Sequence, residues 1–181
     1  MPLPTPDDVV AFWRDAGPKA WFAKNEAFDN RFRERFLDAH FAAARRELDS
    51  WAASAHGSLA LLILLDQFPR NCFRGTAHMF ATDALARHVA RQALAAGHDQ
   101  AIEVALRPFM YLPFEHSELL SDQDLSVQLY QSLGGEEVVR YARVHRDIVR
   151  RFGRFPHRNP MLGRETTADE AAFLRDGGFA G

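Results

Sequence analysis

The segment SLALLILLDQF (58–68) carries apolar side chains on every side of any helix it forms, and a helix of that kind lies at the centre of a fold. Its uninterrupted run, Leu59 to Leu65, is seven residues long, whereas a helix needs roughly 20 to cross a bilayer. The rest of the chain must therefore wrap around it. The wrapping material is helical. The sequence has 28 Ala and 19 Leu against 17 Val, Ile and Thr together, and no stretch alternates with a period of two. An all-α fold of antiparallel helical hairpins is expected. At 181 residues and 47% hydrophobic content, one domain around one core is the default.

Start and stop signals divide the chain. Thr5 followed by Pro6, Asp7 and Asp8 opens a helix whose apolar stripe is Val9, Phe12, Trp13 and Ala16, with Gly17 as its stop. A second helix runs from about 26 to 48 on Phe28, Phe32, Phe36, Phe41 and Leu48. The central segment follows, and Pro69 is expected to end it. A fourth helix spans about 82–96, stopped by Gly97, with Leu85, Val89 and Ala93 inward, and short helices lie between 101 and 120. Residues 122–133 form another, carrying Leu125, Val127, Leu129 and Leu133 and closed by Gly134-Gly135. Over 136–152, Val138, Tyr141, Ala142, His145, Ile148, Val149 and Phe152 keep helical spacing. Glu136 and Glu137 match the positive end of that helix, and Arg150 and Arg151 the negative end. Thr167 to Glu170 is a capping box for a short last helix. No period of about 34 residues, or any other, repeats along the chain.

Three polar stretches interrupt this pattern. They lie at 66–76, at 113–118 and at 153–165, and the last is long for a connection inside a compact domain. The motifs LDQFPRN (65–71), FATDALA (80–86), LPFEHSE (112–118) and RFGRFPHRNPMLGRE (151–165) resemble the bacterial domain-of-unknown-function 924 family, a helical fold of the tetratricopeptide-like superfamily. The resemblance implies a tetratricopeptide-like α–α superhelix without a clear sequence repeat. It implies no established activity.

Read as chemistry, the stretches give a short list of candidates. Asp66 ends the most apolar helix and needs a cation, either Arg70 or an arginine of the 154–158 segment. A structural Asp–Arg clamp outweighs a catalytic carboxylate there. His116, with leucines three and four residues on, reads as a core histidine or as an acid–base group, and His157 is a second acid–base candidate. His145 lies in the stripe of its helix and reads as core. Glu-x-x-His and His-Glu-x-x-His are absent, so no metal is expected, and the remaining combination would be His116, His157 and Glu118 meeting in space. Ser117 between His116 and Glu118 is no triad, since neighbours on a helix face apart. The only cysteine, Cys72, is either a thiol activated by Arg70 and Arg74 or a small buried hydrophobe, the second being preferred. No glycine loop fit for phosphate is present, and no cofactor is expected.

Charge is segregated. Residues 108–139 hold six acids and no Lys or Arg, whereas 140–164 hold eight arginines and one acid, Asp147. A net charge of −2 disfavours nucleic acid as a partner, because the acidic segment can neutralise the basic one within the same molecule. The N-terminus lacks the marks of a signal or transit peptide, which together with the single cysteine suggests the cytoplasm. The leading expectation is a binding module. Arg70, Asn71, Arg74, Arg154, His157, Arg158, Asn159 and Arg164 would line a polar cleft for a small anion or a peptide carboxylate. One alternative is a hydrolase using Asp66, His116 or His157. The other is a purely structural network, with the functional surface elsewhere.

Overall fold

A computed structural model describes residues 3–179, and among these no strand occurs. The chain folds as two compact units. Among the described residues the first comprises 3–74 and His78–Pro113, and the second Gly75–Ala77 and 114–179.

The first unit opens with α1 (Pro6–Ala16), where Thr5 and Asp8 form a reciprocal capping box. A single turn, α2 (Pro18–Trp21), follows the Gly17 cap. Helix α3 (Glu26–Ala44), capped by Asn25, stops four residues short of Leu48. Its core-facing stripe is Phe28, Phe32, Phe36 and His40, while Phe41 points outward. The rings of Phe12 and Phe32 stack at 5.3 Å, and Phe32 meets Phe68 edge-on at 5.0 Å. Trp13, Trp21 and Phe109 complete this aromatic core, with Trp21 donating its indole N–H to the Trp13 carbonyl at 2.6 Å.

Helix α4 (Ala55–Leu62) is capped by Ser54. Gly57 sits so close to the Trp51 carbonyl that a Cβ would lie 1.9 Å from its oxygen, so only glycine fits. Residues Leu59 to Leu65 are all buried, as the apolar run requires. Pro69 does not end this helix. The chain widens into a π turn, Ile63–Gln67, in which the Phe68 N–H reaches Ile63, and continues as α5 (Phe68–Cys72). Proline is tolerated because it occupies the first turn after the widening, where side chains take over the carbonyls its ring leaves without an N–H. The Leu64 carbonyl accepts from His40 at 2.8 Å, and the Leu65 carbonyl accepts the Thr82 hydroxyl. Helix α6 (Asp83–Ala95) turns its Ala86, Val89, Ala90 and Ala93 face inward, with Leu85 half-buried. Helix α7 (Pro108–Glu115) buries Phe109, Met110 and Tyr111.

In the second unit α8 (Leu120–Leu133) and α9 (Glu136–Phe152) form a hairpin through Gly134 and Gly135, both at positive φ. Helix α9 begins and ends where its charge pattern places it. Tyr141 is exposed rather than part of the stripe. The buried face of α8 is Asp122, Gln123, Ser126, Val127 and Tyr130, and Leu125, Leu129 and Leu133 are only half-buried. The leucine pattern misleads because the first turns of α8 cover polar backbone: the Gln123 amide donates to the carbonyls of Glu115 and Ser117 at 2.7 and 2.6 Å. Helix α10 (Ala168–Arg175) starts at the Thr167–Glu170 capping box and packs Phe173 against Ile148, Val149 and Phe155.

Candidate functional site

The LDQFPRN segment builds a buried ionic cluster in the first unit. Arg70 reaches Asp66 at 3.1 Å and grips Asp83 with both terminal nitrogens, at 2.9 and 3.1 Å. Asp66 and Asp83 are 1% and 7% exposed, so two enclosed carboxylates share one guanidinium. Burial works against the charge on Arg70, but the two carboxylates more than offset it and hold its proton more tightly than usual. The π turn leaves Arg70 one helical turn from Asp66, so Arg70 is a partner of Asp66 within this unit. Asn71 and Arg74 are drawn to a third carboxylate, Asp29 on α3, at 2.7 and 3.2 Å. Asp29 and Asn71 line a depression of about 170 Å³ together with Glu26, Asn30, Arg33 and Cys72. Burial pushes the Cys72 thiol up to about 12, Arg33 and Arg74 offsetting only part of it. The less favoured reading of an activated thiol falls, and Cys72 packs as the preferred small buried side chain.

The 153–165 stretch is tied down in the second unit by two glutamates. Glu118 accepts both terminal nitrogens of Arg164, at 2.7 and 3.0 Å, and the Phe155 N–H at 2.8 Å. Burial alone would raise its pKa, yet these hydrogen bonds and the charges of Arg164 and Arg158 hold it below the usual range. Glu170 accepts Arg154 at 2.6 and 2.9 Å, Asn159 at 3.2 Å and the Thr167 N–H at 2.8 Å. The hydrogen bonds from Arg154 lead in bringing Glu170 down to about 2. Between the clamps lies a single 3₁₀ turn, Pro156–Arg158. Arg158 lays its guanidinium 4.5 Å over the Phe155 ring and donates to the His116 carbonyl at 2.9 Å. His157 is half-buried between the rings of Phe155 and Phe179.

Other candidates take structural places. His116 is half-buried just past the end of α7, and Ser117 donates to Asp122 at 2.7 Å inside the fold. His145 is buried and lies 3.3 Å from Glu115, the nearest carboxylate on α7. Among the described residues no group of three or more His, Cys, Asp or Glu side chains is arranged to hold a metal, so His116, His157 and Glu118 form no such group. No helix among them is long and apolar enough to cross a membrane.

Sequence reasoning missed His40, Asp83 and Glu170. His40 is fully enclosed, stacked 4.9 Å from Phe68, with Nδ1 donating to Leu64 and Nε2 at 2.9 Å from Nε2 of His78. Because Nδ1 must carry the proton, the neutral ring accepts at Nε2 and His78 donates. Burial leads in lowering His40 to about 4, and the neighbouring His78 adds to it. A signal was present: Phe28, Phe32, Phe36 and His40 follow each other at intervals of four on one helix.

A protein of unknown function from Agrobacterium tumefaciens has a solved structure that matches this one with a TM-score of 0.93 at 59% identity, over 95% of this chain and 97% of that one. No curated protein matches. The family model for bacterial proteins of unknown function DUF924 matches residues 9–178, a span that includes both the Asp66–Arg70–Asp83 cluster and the clamped loop. The chain belongs to the DUF924 family.

Proposed function

We propose that the chain is a binding module for a small anion or a peptide carboxylate, with the 153–165 loop as its recognition element. His157, half-buried, and Arg158, 6% exposed, are the contact residues a ligand has to reach, and Arg154, Asn159 and Arg164 position them. The observation that supports this reading is the construction of the loop: a segment with one three-residue helical turn is clamped by two bidentate arginine–glutamate pairs. Pro156 fixes φ at the start of the turn that carries His157 and Arg158. A loop ordered in advance loses less entropy on binding, and a guanidinium backed by an aromatic face keeps its fork of donors in one plane. In the first unit Arg70, Asn71 and Arg74 are engaged by Asp66, Asp83 and Asp29, so they hold that unit together and stand outside the recognition loop. The α8–α9 hairpin supports a tetratricopeptide-like stacking of helix pairs, and the single buried cysteine fits residence in the cytoplasm.

Thermal-shift titrations with phosphate, sulfate, citrate and short peptides, free or amidated at the C-terminus, test the reading at matched ionic strength. A ligand at 100 times its Kd should stabilise the wild type by about 2.7 kcal/mol and Arg158→Ala by much less. If no anion stabilises the wild type more than it stabilises Arg158→Ala, the arginines are structural and the proposal fails.

A further inference from the structure

The connection from α3 to α4 holds a second polar arrangement, contained wholly in the first unit. Helix α3 closes in a Schellman cap, in which the Arg46 N–H bonds Ala43 and the Glu47 N–H bonds Ala42, both at 2.9 Å. The residue that must turn left-handed in such a cap is commonly glycine, as Gly97 and Gly153 show after α6 and α9. Here it is Arg46, at φ 66°, the one non-glycine residue among those described with a positive φ. A backbone strain of this kind is found most often where a side chain has a task.

The Arg46 side chain lines a groove of about 310 Å³ with Asp49, Ala52, His88, Gln92 and Ala96. His88, Gln92 and Ala96 stand four residues apart along α6 and its cap and so share one face. Arg46 reaches Asp49 at 2.8 Å, and both side chains are about half-exposed, so the pair opens to solvent at little cost. The groove thus offers a cation, a carboxylate, an imidazole and a carboxamide over two alanine methyls. Its volume is at the small end for ligand sites.

We propose that this groove binds a small zwitterion of the α-amino-acid class. The carboxylate sits against Arg46 with His88 and Gln92 beside it, and the ammonium group sits on Asp49. The assignment is independent of the 153–165 loop, since none of its residues belongs to that unit.

The test follows the His88 imidazole resonances of the full chain by NMR, identified with His88→Gln, during titration with free α-amino acids. N-acetyl amino acids, decarboxylated amines and sulfate are the controls. Arg46→Gly suits the cap better than arginine does and should melt no lower than the wild type; Arg46→Asn, which also tolerates the left-handed region, is the second variant. At least one amino acid should shift His88 saturably, at least tenfold more weakly in both Arg46 variants, with the controls inactive. The proposal is overturned if no amino acid gives a saturable shift, if sulfate or an N-acetyl form binds equally well, or if either variant binds undiminished.

Discussion

Acidification should unfold this protein in part through one side chain, His40. The ring is fully enclosed, among Phe41, Phe68 and Phe73, with one nitrogen donating to Leu64 and the other facing His78. Burial lowers it from 6.5 to about 4, while in the unfolded chain it takes up a proton near the ordinary value. A group whose folded pKa is depressed in this way favours the unfolded chain as pH falls. The stability contributed by neutral His40 is therefore complete above about 6.5 and declines down to about 4. At about 1.4 kcal/mol per pH unit this amounts to about 3 kcal/mol at the acid end of the window. Urea unfolding at steps between pH 7 and pH 4, compared with His40→Asn, isolates the effect. Asparagine can keep a donor toward Leu64 but does not titrate, so the variant starts less stable and loses less over this range. The same slope in both proteins, or a His40 resonance titrating near 6.5, would refute the reasoning.

The ionic cluster makes an ordered prediction. Arg70→Met strands two enclosed carboxylates and should cost about 3–5 kcal/mol, read as a fall in Tm of about 6–20 °C; Asp66→Ala leaves Arg70 gripping Asp83 and should cost roughly 1–3 kcal/mol. Equal losses in the two variants would contradict the arrangement. Glu170, held at about 2, contributes stability above its ordinary 4.5 that is lost as pH falls toward 2, so Glu170→Gln should flatten that limb of an acid-unfolding curve. With its thiol pushed up to about 12, Cys72 should react with a disulfide reagent near pH 8 about a thousandfold more slowly than a free thiol, and at the free rate in urea; rapid reaction of the folded chain would be the contrary result.

What could be read from the sequence was local. The cap at Thr5, the charge-matched ends of 136–152 and the Thr167 box each lie within a few residues, and each forms as read. The polar partners could not be read this way. Arg164 finds Glu118 across 46 residues and Asn71 finds Asp29 across 42, and no spacing rule reaches so far. The acidic and basic segments do neutralise one another in part, as charge bookkeeping suggested, yet the strongest clamp on Arg154 is Glu170, an acid outside both. Pro69 misled for a different reason: the rule that proline ends a helix assumes α geometry before it.

The π turn also fixes how many residues this part of the chain must contain. It accommodates one residue more per turn than the helices on either side. Removing any one residue between 63 and 67 would let the chain close into unbroken α-helix, which is locally the easier state. The widened turn makes about the same revolution with one residue more, so the downstream helix would stay in phase but the widening itself would be gone. Pro69 would then lie inside an unbroken α-helix, its ring against a carbonyl of the preceding turn. Length in this segment is therefore a stricter requirement than composition. A leucine exchanged for isoleucine or methionine here is a packing adjustment, whereas a single lost codon sets Pro69 against the helix on which the ionic cluster is built.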